Sequence, residues 1–134
     1  APGEPLPAVG AYRSQYADSE WQAAVVSWMQ QARLIVFIGS TTRWLQWELM
    51  QVAERSLMSK VVVIFPPVDP EEQALRLEAV SDALATLPIS GRIKALKGRD
   101  IIAVDFRDYP AITALSDAAS SKSSYVVATR SVLT

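Results

Sequence analysis

The 134-residue chain carries 13 Lys plus Arg against 14 Asp plus Glu, for a formal net charge of −1, and half of its residues are hydrophobic. It contains no Cys and no His, which excludes disulfide frameworks, thiolate nucleophiles, Cys/His zinc sites and any catalytic triad or general base built on histidine. Acid/base chemistry within the chain falls to Asp, Glu, Lys or Tyr.

A chain of this length fits one domain, which buries roughly two-thirds of its unfolded surface. The longest unbroken apolar runs, Leu34–Ile38 and Val61–Phe65, are five residues each, against the ~20 that a spanning helix needs. No direct membrane insertion is expected of this segment, and residues 1–20 lack the apolar core of a signal peptide. Near-balanced charge without a basic tract lacks the footprint of a phosphate-backbone reader, so nucleic acid is not expected as a partner.

The opening APGEPLPAVG is rich in Pro and Gly, which denies it both a helix and a central strand. Residues 1–18 read as an extended lead or loop. Asp18 or Ser19 then suits an N-cap for SEWQAAVVSWMQQA, in which Trp21, Val25, Trp28 and Met29 recur at helical spacing. RLIVFIG follows as a strand, and its apolar run without alternation implies that both faces are covered. The same pattern returns in KVVVIFPPV from Lys60 and in DIIAVDF from Asp100.

Between these runs lie TTRWLQWELMQVAERSLMS and PEEQALRLEAVSDALATLP. Leu45, Leu49 and Val52 in the first, and Leu75, Leu77, Val80 and Leu84 in the second, recur at helical intervals. Such alternation predicts an α/β fold with a parallel sheet and right-handed crossovers that set helices on both faces, in the flavodoxin-like manner. The domain is expected over residues 19–119. Its last helix is expected at AITALSDAAS after Pro110, with residues 120–134 as an edge strand or tail.

Ligands of open parallel α/β sheets bind where the carboxyl ends of the strands meet helix N-termini. That rule gathers GSTT, PPVDP and DFRDYP into one candidate cleft lined by Ser40, Thr41, Thr42, Trp44, Asp69, Asp105, Arg107, Asp108 and Tyr109. The hydroxyls of Ser40, Thr41 or Thr42 also suit a helix cap, which alone explains residues of this type more often than a ligand does. Neither GxGxxG nor GxxxxGK[ST] occurs, and no metal site is expected.

Glu48 stands out, because with Thr42 as N-cap it lies too far along the helix to act as a capping-box acid. Its face carries Trp44, Gln51 and Arg55, beside the core stripe of Leu45, Leu49 and Val52. Beside an indole the carboxylate is partly desolvated, which raises its pKa toward a useful range. Its bland alternative is a surface glutamate paired with Arg55 or water.

The run from Ala32 to Pro67 resembles the central part of TIR domains, the Toll-receptor-type signalling fold, in which a strand leads to a helix bearing W-C-x-x-E-L. Trp44, Leu45, Gln46, Trp47, Glu48 and Leu49 occupy that motif, with Leu45 where the family often has cysteine. PGE at Pro2–Glu4 is similar to the Pro-Gly of the loop that TIR domains use for homotypic contact. The resemblance covers roughly residues 20–110. It implies a signalling or interaction module that engages a protein partner or self-associates, and, in TIR domains that hydrolyse NAD, a catalytic role for the glutamate at Glu48.

A TIR fold begins with a strand, a helix and a second strand ahead of its Pro-Gly, so one or more N-terminal strands are expected outside this sequence. The groups that TIR hydrolases place around nicotinamide belong largely to that region, which favours a non-catalytic module without a cofactor, NAD entering only under the enzyme reading. The lead PGEPLPAVGAYRSQYADSEWQ also resembles the soluble C-terminal portion of some multi-spanning bacterial membrane proteins. That resemblance implies a cytoplasmic domain attached to a membrane-spanning region.

Overall fold

β-Branched residues dominate the three apolar runs, and their stiff side chains favour extended backbone. Each run forms a strand in the computed structural model, which describes residues 18–116. The strands are β1 (Ile35–Ile38), β2 (Val61–Ile64) and β3 (Ile101–Asp105), joined by a fourth, β4 (Thr113–Ser116). The helices are α1 (Asp18–Gln31), α2 (Arg43–Glu54), α3 (Pro70–Ala83) and the short α4 (Ser90–Lys94), with a 3₁₀ turn at Met58–Lys60.

Contacts group the chain into two units, Ala1–Ala32 and Arg33–Thr134. In the first, α1 buries Trp21, Val25 and Met29, one stripe at helical spacing. The helix already includes Asp18, so the cap expected at Asp18 or Ser19 lies inside it rather than ahead of it. The lead at residues 1–17 and the tail from residue 117 onward lie outside the described residues.

In the second unit the sheet order is β1-β2-β3-β4. β1 and β2 are parallel, with Ile35 opposite Val61 and Ile38 opposite Ile64, and α2 forms the crossover between them. β3 runs antiparallel to β2, pairing Val62 with Asp105 and Ile64 with Ala103. The sheet is therefore mixed, and the wholly parallel sheet expected from strand-helix alternation is corrected.

The reason lies in the connection. One crossover helix returns the chain to the end from which the previous strand began, whereas two helical passes bring it back beside the end just left. After α3, a series of turns from Leu84 leads into α4, with Ile89, Ile93 and Leu96 all buried. β3 then starts next to the end of β2, where the Phe65 N–H donates to the Ile102 carbonyl at 2.9 Å.

The helix expected at AITALSDAAS is also corrected, since Thr113–Ser116 form β4 antiparallel to β3. Tight turns reverse the chain first: Arg107 N–H to Asp105 Oδ1 at 2.9 Å, Tyr109 N–H to the Phe106 carbonyl at 2.9 Å and Ala111 N–H to the Asp108 carbonyl at 2.9 Å. Ala114 is thereby set opposite Val104, both buried, and burial on the sheet overrides local helix propensity.

α2 packs beside α3 and α3 beside α4, so the three form one layer. Phe37, Val63 and Val104, on one face of the sheet, are buried together with Leu45, Leu49 and Val52 of α2 and Leu77 and Val80 of α3. The opposite face stays open at β1 and β2, where Val36 is 48 %, Ile38 56 % and Ile64 40 % exposed. Among the described residues the expected cover on both faces is not met at these three side chains, because an apolar run reports what its side chains are and not what lies against them.

Candidate functional site

The β1–α2 loop is built by caps. Thr42 has extended backbone and its Oγ1 accepts the Leu45 N–H at 3.2 Å, closing the first turn of α2. Ser40 Oγ lies 3.1 Å from Thr42 Oγ1, so the hydroxyls of Ser40 and Thr42 are engaged in holding the helix start. Asp69 does the same for α3, its Oδ1 accepting the Glu72 N–H at 2.8 Å ahead of Pro70. A carboxylate at a helix N-terminus also complements the helix dipole.

Three residues absent from the expected set complete this edge. Arg76 Nη1 donates to the Gly39 carbonyl at 3.0 Å while its Nε pairs with Glu72 Oε2 at 2.9 Å. Gln73 Nε2 donates to the Ile101 carbonyl at 2.7 Å. The Glu72 to Arg76 spacing is a legible i,i+4 pair, but its reach to a strand end is visible only in three dimensions.

Asp105, Arg107, Asp108 and Tyr109 are not part of this edge. Because β3 is antiparallel, Asp105 lies opposite Val62, and the Phe106 N–H donates to the Val61 carbonyl at 2.9 Å, at the end where β2 begins. The two groups are separated by the length of a strand, on the order of 10 Å. The single cleft expected from the sequence is therefore two separate ends of the sheet.

At its own end, Asp105 forms a two-pronged pair with Arg107, Nη2 to Oδ2 at 2.8 Å and Nε to Oδ1 at 3.0 Å. The Arg107 hydrogen bonds hold the Asp105 carboxyl below its ordinary range, and the carboxylate raises the Arg107 guanidinium in turn. This pair braces the turn between β3 and β4.

Glu48 sits half-buried on α2, roughly 9 Å along the axis from the Thr42 cap. Burial pushes its carboxyl up to about 7, against the opposing, smaller influence of the neighbouring Trp44 side chain. Trp44 and Trp47 stack with ring centroids 4.9 Å apart and an interplanar angle of 23°. Arg55 does not pair with Glu48, since its Nη2 donates to Gln51 Oε1 at 3.1 Å.

A carboxyl that exchanges its proton near neutrality can serve as a general acid or base. Among the described residues, no neighbouring charge contributes to its shift, and no cluster of three or more acidic residues is placed to hold a metal ion. No helix among the described residues is long and apolar enough to cross a membrane. No protein-family model, curated protein or solved structure matches the chain.

Proposed function

We propose that this chain is a non-catalytic, TIR-like interaction module that works by holding a protein partner, as the cytosolic domain of a membrane-attached bacterial protein. The observation that carries the interaction reading is the open face of β1 and β2, where Val36, Ile38 and Ile64 leave large apolar side chains in contact with water. Adjacent exposed apolar groups of this kind mark contact surfaces more often than lone ones do. The TIR-like reading draws on the Trp44–Leu49 motif, borne on the helix that follows β1, and the membrane attachment on the likeness of the lead segment.

The experiment is site-specific photo-crosslinking from position 64 in cells that express the chain, with position 78 on the exposed side of α3 as control. A discrete adduct from position 64 alone is the expected result. Equal or absent adducts at both positions would overturn the reading.

A second reading, NAD glycohydrolysis with Glu48 stabilising the ribosyl cation or orienting a nucleophile, is favoured by one feature, the elevated carboxyl beside Trp44. Loss of a working acid costs roughly 10²- to 10⁴-fold in rate. Under the interaction reading, wild type and Glu48→Gln alike leave NAD intact. Turnover by wild type that collapses in Glu48→Gln would replace it with the enzyme.

A further inference from the structure

We draw no further inference here: the strongest candidate, the open apolar face of β1 and β2 at Val36, Ile38 and Ile64, already carries the interaction reading, and nothing in the structure shows what covers it.

Discussion

The ring of Phe65 closes over Gly39 so tightly that a Cβ on the glycine would lie 2.5 Å from Phe65 Cε1 and 2.6 Å from Cδ1. Phe65 is itself buried, at 3 % exposure, so the ring has little room to yield. The glycine that ends β1 is required by space rather than by an unusual backbone angle. Overpacking of this kind costs about 1–3 kcal/mol, and Gly39→Ala is expected to lose that much in urea unfolding. Adding Phe65→Leu should recover part of the loss, a coupling that a double-mutant cycle measures. Simple additivity of the two substitutions would show that the ring is not the obstacle.

Arg76 ties α3 to the end of β1 through the Gly39 carbonyl and to its own helix through Glu72. Gly39 is buried, so removal of the guanidinium leaves its carbonyl without that donor. Arg76→Ala is expected to cost about 1–2 kcal/mol, and Arg76→Lys to restore only part, since a single ammonium cannot hold both acceptors in fork geometry. Faster amide exchange at Leu45 would locate the loosening at the β1–α2 loop.

Glu48 makes stability depend on pH with a definite sign. Its carboxyl has an ordinary value of 4.5 and titrates at about 7 in the fold. Between these values the folded chain binds the extra proton, so this contribution is complete below about 4.5 and lost as pH rises through about 7. Its size is on the order of 2–3 kcal/mol. The chain has no histidine, which leaves few other side chains to titrate in that window. Wild type is expected to be less stable at pH 8 than at pH 5 in urea unfolding, and Glu48→Gln to remove most of that difference. A pH-independent wild type would contradict the buried acid.

Ser56 ends α2 in the left-handed region, with φ of 59°. Its N–H donates to the Ala53 carbonyl at 3.3 Å and the Leu57 N–H to the Val52 carbonyl at 2.9 Å, the paired bonds of a Schellman cap. Glycine adopts this conformation without steric cost. Ser56→Gly is expected to stabilise the fold by about 1 kcal/mol, read as a higher thermal midpoint, while Ser56→Val lowers it.

Asp105 and Arg107 show the opposite pH sign. Hydrogen bonds from Arg107 lower the Asp105 carboxyl, so its contribution is present above the ordinary value and lost as pH falls through the lowered one. Arg107→Gln is expected to move the Asp105 titration upward toward the ordinary range by NMR. The effect on stability is small because the guanidinium is solvated.

Much of the local structure was legible in the residues themselves. β-Branched apolar runs marked β1, β2 and β3, Leu45, Leu49 and Val52 marked the buried stripe of α2, and an acid beside an indole marked Glu48 as the carboxyl that burial would raise. These readings depend on neighbours within a turn or two, where side-chain chemistry acts directly on the backbone. Tertiary structure alone decided the direction of β3, the conversion of Thr113–Ser116 into a strand and the separation of Asp105 from Ser40. A strand's residues dictate which sides are apolar but carry no mark of direction, which the intervening chain sets through the number of times it crosses the sheet. The short pass through Ile89, Ile93 and Leu96 reversed β3, and with it the end of the sheet to which every residue after Ile101 belongs.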